Sequence, residues 1–223
     1  MNGREIPDAE LLEIVGSSVD EDQGAREDGL IVLDHPITEG DKEYDRINLT
    51  EPTLYHAMSA SQVIGKRPTL ATIYDSQIKL VALSANIPEK VVKQFPTRAL
   101  DEAVSYVMAF EDDVRRPEDF QISDLDLRPE KTILFKVPIS GGGREYSDMR
   151  LREPQVTEHR RFKAVEGGGS VQDGLKAQMQ LIEDVSGWNR AALLRLPMSK
   201  FVEAADYLTG FFIAGQQTGK LSR

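Results

Sequence analysis

Four glutamates recur in pairs, Glu43 with Glu51 and Glu145 with Glu153. Two carboxylates facing one cleft would be the equipment of general acid and base hydrolysis. The spacing argues against that use, because Glu43 and Glu145 fall within strands, Glu51 and Glu153 fall at helix entrances, and no cleft between them follows from the sequence. Capping and surface roles fit them better. The three histidines, His35, His56 and His159, are the remaining candidates for a base or a metal ligand, and none stands in an H-x-x-x-H or carboxylate spacing. The chain has no cysteine, which removes thiolate nucleophiles, thiolate zinc sites and disulfides. Gly141, Gly142 and Gly143 follow a strand but lead into another strand, so no helix N-terminus is offered to a phosphate. The reading is a chain with no catalytic residue, no metal site and no cofactor, and not an enzyme.

The glutamates recur because the chain is duplicated. The stretch 36–52 returns at 138–154: Pro36, Ile37, Gly40, Glu43, Tyr44, Leu49, Glu51 and Pro52 reappear as Pro138, Ile139, Gly142, Glu145, Tyr146, Leu151, Glu153 and Pro154. Eight of 17 positions are identical, far above what unrelated segments give. The copies lie 102 residues apart, too far for a stacked solenoid unit, so each is expected to be a domain. Downstream the echo continues at a spacing of 101, with Glu102, Ala103 and Tyr106 answered by Glu203, Ala204 and Tyr207.

Around this motif the pattern predicts an α+β module, ββαααα, present twice. A strand at 30–33, a turn at 38–41 with Gly40 free to take positive φ, and a strand at 42–49 make a hairpin. Pro52 and Pro154 are read as first-turn prolines, with Glu51 and Glu153 beside the positive end of the helix dipole. Helices follow to about residue 64, over 69–85 and 89–95, and over a last stretch capped by Thr97; the second copy repeats them, with 171–186, 188–196 and 199–214. On the second strand Tyr44 lies opposite in parity to Ile47 and Leu49, as Tyr146 does to Met149 and Leu151, which puts both tyrosines outside the main hairpin face unless a bulge intervenes. The expected organisation is an acidic leader with a short helix at 1–28, module one at 29–113, a linker at 114–130, module two at 131–215 and a tail at 216–223.

Composition narrows the partners. The net charge is -10, and residues 1–28 carry nine acids against two arginines. Such a chain repels phosphate backbones, so nucleic acid is not an expected partner. No apolar run approaches the roughly 18 residues of a membrane span, and the start lacks the features of a signal peptide, which points to the cytoplasm and to no membrane partner. Arg150, Arg152, His159, Arg160, Arg161 and Lys163 form a basic segment unmatched in the first copy. It reads either as a solvated face or as a receptor for the acidic leader of the same or another subunit, a route to self-association that salt would weaken.

The hairpin with Pro-Ile-x-x-Gly-x-(Lys/Arg)-Glu-Tyr and Leu-x-Glu-Pro, followed by a helical bundle within about 90 residues, resembles the tail assembly chaperones of long-tailed bacteriophages. It looks most like the small tail assembly protein E family of contractile-tailed phages, met here twice in tandem. The resemblance implies a non-virion helper in the host cytoplasm that binds the tape-measure protein, keeps it soluble and helps recruit tail-tube subunits. Candidate groove residues for a helical partner are Tyr106 and Phe110 on the last helix of module one, and Tyr207, Phe211 and Phe212 on that of module two, with Trp188 nearby. Aromatics at helical spacing also fit a core. The alternative reading is a permanent structural or adaptor component of a tail, neck or baseplate.

Overall fold

The computed structural model describes residues 29–218, and the leader's expected short helix lies outside them. The chain divides into two compact units, with the division between Asp112 and Asp113. Each unit is an antiparallel hairpin followed by four helices, an α+β fold repeated in tandem. The first contains β1 (Leu30–Glu39), β2 (Lys42–Asn48), α1 (Leu54–Ile64), α2 (Leu70–Ala85), α3 (Glu89–Val92) and α4 (Thr97–Asp112). The second contains β3 (Glu130–Gly141), β4 (Arg144–Arg152), α5 (Val156–Glu166), α6 (Val171–Ser186), α7 (Arg190–Leu193) and α8 (Met198–Thr218).

The hairpins explain the recurring motif. Two-residue loops close them, with Gly40 at φ 60° in the first and Gly142 and Gly143 at φ 59° and 75° in the second. These tight turns match the strand twist and need residues tolerant of positive φ. Both first strands are longer than the sequence suggests and carry the same irregularity: Val32 pairs with Arg46 but Ile37 with Tyr44, and Leu134 pairs with Asp148 but Ile139 with Tyr146. Four residues therefore oppose one, and Pro36 and Pro138 sit in that excess, where a missing N–H costs no ladder bond. A bulge thus intervenes opposite both tyrosines, the condition under which strand parity no longer places them outside the main face. Tyr44 packs against the first core, and Tyr146 stacks on Trp188 with ring centroids 4.4 Å apart.

The prolines of the Glu-Pro pair lie outside the helices. Thr53 is the N-cap of α1 and Gln155 that of α5, so Pro52 and Pro154 each precede the cap instead of forming the first turn. The reason is the reciprocal capping box. In α1, the Thr53 hydroxyl accepts from the His56 N–H and His56 Nδ1 accepts from the Thr53 N–H; in α5, the Glu158 carboxylate accepts from the Gln155 N–H at 2.7 Å. Glu51 and Glu153 thus stand too far upstream to serve the dipole. Thr97 likewise opens α4 as a helical residue, and the carbonyl of Pro96 receives the first bonds.

Hairpin and helices enclose one core in the first unit. Ile31, Leu33, Ile37, Ile47 and Leu49 meet Val81 of α2, Val91 of α3 and Leu100, Ala103 and Val107 of α4, all buried. Each large side chain so buried contributes about 1.5–3 kcal/mol. The long and short helices are tied in both units at equivalent positions, with opposite polarity. Lys79 of α2 pairs with Glu89 of α3 at 2.6 Å, whereas Arg190 of α7 donates to Gln180 and Glu183 of α6. The helix stops are also local: Asn86 takes the left-handed conformation after α2, and Gly187 after α6.

Residues 114–130, expected as a linker, lie along α8. The Arg116 N–H donates to the Asp206 carboxylate at 2.7 Å, its guanidinium reaches the Asp206 carbonyl, and the Tyr207 hydroxyl donates to the Arg128 carbonyl at 2.6 Å. Arg116 also covers the Phe120 ring, and Leu125 and Leu127 border Gly210. Replacing Asp206 with alanine is expected to free this strap. Backbone amides of residues 116–128 would then exchange faster, by about tenfold or more for about 1.4 kcal/mol lost, and unchanged exchange would contradict the contact.

Candidate partner-binding surface

The six aromatic residues expected to line a groove divide into two groups. Trp188 is 5% exposed, flanked by Phe135 at 5.2 Å and by the Tyr146 ring, while the Tyr146 hydroxyl accepts from the Asn189 N–H. Tyr207 is 3% exposed, with its hydroxyl bonded to the strap and its ring edge-on to Phe211. Burial raises its hydroxyl pKa. Both belong to the interior of module two, the core placement that their helical spacing also fitted; tryptophan and tyrosine bury a large apolar body once the polar tip finds a partner.

Tyr106, Phe110, Phe211 and Phe212 are half-buried. Tyr106 and Phe110 meet edge to face at 5.3 Å, the same pairing that Tyr207 and Phe211 make in the other unit. A side chain at Gly29 would overlap the Tyr106 ring, so the chain enters module one against that tyrosine. Phe212 instead stacks flat on His159, 3.7 Å away and 4° from parallel, and packs against Phe162. Sequence reasoning missed this pair, since neither residue has a counterpart of its kind in module one: Ala57 and Glu111 occupy those places.

The basic segment of module two is largely neutralised where it stands. Arg150 pairs with Asp148, Arg152 with Glu158, Arg161 with Asp184 and Lys163 with Glu166. Glu158 is 5% exposed, and the two bonds from Arg152 hold its carboxyl below the usual range. The expected basic patch for an acidic leader is thereby reduced, because each of these cations already has an acid beside it.

His56 and His159 are both held below the usual imidazole range, chiefly by burial. Their neutral forms are favoured in the fold, and His56 Nδ1 can accept the Thr53 N–H only when unprotonated. On acidification the unfolded chain binds these protons first. The stability contributed is complete above an ordinary histidine pKa of about 6.5 and is lost as pH falls below it toward the folded values. The melting temperature is therefore expected to be lower at about pH 5.5 than at about pH 7.5. The difference should shrink in the His56→Gln, His159→Phe double variant, and an equal drop in that variant would assign the effect elsewhere.

The remaining motif residues differ in burial. Leu49 and Leu151 are buried under the hairpins, Glu43 and Glu145 are exposed, Pro52 is buried, and Glu51 and Pro154 are partly covered. Glu153 is exposed, and its N–H donates to the Pro129 carbonyl. The His, Asp and Glu side chains form no group of three suited to a metal among the described residues. None of the described helices is long and apolar enough to cross a membrane.

No curated protein and no solved structure matches the chain. The family described as phage tail assembly chaperone proteins, E, or 41 or 14, matches it twice, at residues 30–112 and again at 132–213. These spans are the two hairpin-and-helix units, and together they cover most of the sequence. The chain belongs to the phage tail assembly chaperone family, with the family's module present in tandem.

Proposed function

We propose that this protein is a tail assembly chaperone that binds the tape-measure protein in the host cytoplasm, keeps it soluble and helps recruit tail-tube subunits around it. The observation that carries this reading is the double family match, which gives a tail assembly role to both halves of the chain. A tape-measure helix with apolar stripes needs cover until the tube encloses it, and grooves between module helices suit that task. Two modules on one chain raise the effective concentration of the second on a repetitive partner once the first has bound. No catalytic step is part of the proposal. Half-buried Tyr106, Phe110, Phe211 and Phe212 remain candidate contacts, whereas Trp188 and Tyr207 act by supporting the module that presents them.

The test is the protein composition of purified particles against that of the infected-cell lysate. A chaperone is abundant in the lysate and missing from finished particles. Retention in particles at fixed stoichiometry would replace this reading with a permanent structural or adaptor role in the tail, neck or baseplate.

A further inference from the structure

In module two the segment that precedes the hairpin covers the last helix. Asp206 of α8 accepts the Arg116 N–H, the Tyr207 hydroxyl donates to the Arg128 carbonyl, and Leu125 and Leu127 border Gly210. Within this strap the Asp124 carboxylate closes a turn by accepting the Gln121 N–H at 2.8 Å. The equivalent face of module one, on α4, carries Ser105, Tyr106, Ala109 and Phe110. Tyr106 and Phe110 meet edge to face there, as Tyr207 and Phe211 do, and both are half-buried. A Cβ at Gly210 would meet Arg116, Leu125 and Leu127 only at 3.5–4.0 Å, an ordinary contact, so the methyl group of Ala109 leaves room for a strap over α4 as well.

We infer that residues 11–28 of the acidic leader, outside the described residues, are the strap of module one and lie along α4 as residues 114–130 lie along α8. The path of the chain leads there. Gly29 is the equivalent of Lys131, and both pass the same tyrosine: a Cβ on Gly29 would overlap the Tyr106 ring, and the Lys131 ammonium stands 5.7 Å from the centre of the Tyr207 ring. Upstream at the same spacing, Asp22, Arg26 and Asp28 answer Asp124, Arg128 and Glu130. The carbonyl of Arg26 is then the acceptor for the Tyr106 hydroxyl. At the far end both partners change together: module two sets Arg116 against Asp206, whereas module one has Ile14 and Ser105, an uncharged pair. Acidity is no bar to such a seat, since residues 114–130 carry five acids against three arginines. The basic segment of module two suits the leader less well, because Arg150, Arg152, Arg161 and Lys163 already stand beside acids. Seated on α4, the leader shields Tyr106 and Phe110 from any other partner until it is displaced.

The test is amide hydrogen exchange of the full chain, read by mass spectrometry. Amides of residues 14–28 should exchange about tenfold or more slowly than in an unstructured peptide of the same sequence. Ile14→Glu alters the leader alone, and Tyr106→Phe removes only a hydroxyl. Each should speed exchange of residues 14–28 by about fivefold or more and leave residues 116–128 unchanged. Should Tyr106→Phe melt early, Ile14→Glu decides. Unprotected leader amides in the wild type, or full protection in either folded variant, would overturn the proposal. Protection that disappears in about 1 M salt would assign the leader to a charged surface instead. Protection that disappears on dilution, as a dimer dissociates in sedimentation, would assign it to a second copy of the chain. Either result would overturn the seat on α4.

Discussion

Replacing Trp188 with alanine is expected to destabilise module two by about 3–5 kcal/mol, the range for removing a large aromatic from a packed core. The indole lies between Phe135 of β3 and Tyr146 of β4, at the point where the loop after α6 turns into α7. Its loss would open a cavity between hairpin and helices, and the Tyr146 ring, stacked on it at 29°, would lose its face partner. Calorimetry is the suitable measurement, because the substitution removes the chain's one tryptophan. The transition of module two should move down while that of module one stays in place. A loss under about 0.5 kcal/mol, within the range of surface substitutions, would mean that the indole is not a core element and would return it to the partner-contact candidates.

The second large effect is expected at Gly141, the last residue of β3. A Cβ there would overlap the backbone N and Cα of Ala192 in α7, and backbone cannot swing aside as a long side chain can. Gly141→Val should therefore force the hairpin tip away from α7 and cost about 3 kcal/mol, the upper end of overpacking penalties. Module one supplies the internal control. The same position there is Glu39, whose carboxylate pairs with Lys90 at the start of α3, so its hairpin tip meets the short helix through side chains. Glu39→Gly removes a half-covered ion pair and adds a glycine's backbone freedom at the strand end, and should cost about 1 kcal/mol, well below the first variant. Urea denaturation followed by the fluorescence of Trp188 reads the first variant directly, since the sole tryptophan lies in the affected module. An unshifted midpoint for Gly141→Val would show that the tip and α7 do not touch.

The duplicated motif made the architecture legible. It located both hairpins and both domains, and local signals such as Thr69 before α2 and Asn86 after it fixed element ends to within a residue. What misled was chemistry that depends on neighbours. A proline after glutamate looks like a helical first turn until the next residues, Thr53 and Gln155, prove to be the caps. The strand parity of Tyr44 and Tyr146 held only for a regular ladder, and three extra residues in each first strand reversed its meaning. Periodicity marked the aromatic positions of α4 and α8 but could not separate Tyr207, covered by a strap from residues distant in sequence, from Phe110. The stacking of His159 on Phe212 carried no sequence signal, because it joins two helices through residues unique to one module. The Arg152–Glu158 pair did carry one: glutamine and glutamate at 155 and 158 spell a capping box that sequence reasoning passed over.

The candidate surface was the least legible part. The aromatics that periodicity marks lie on the last helix of each module, whereas exposed Tyr55, Leu70 and Tyr74 lie on the first helical hairpin of module one.

A tail assembly chaperone of the kind proposed covers the tape-measure protein before the tube does. The direct measurement is the soluble fraction of the tape-measure protein expressed in the host with and without this chain, in the absence of every other phage product. The tape-measure protein is expected to be insoluble alone, to become soluble when the chain is co-expressed, and to co-purify with it. Equal solubility in both cases, with no co-purification, would contradict it.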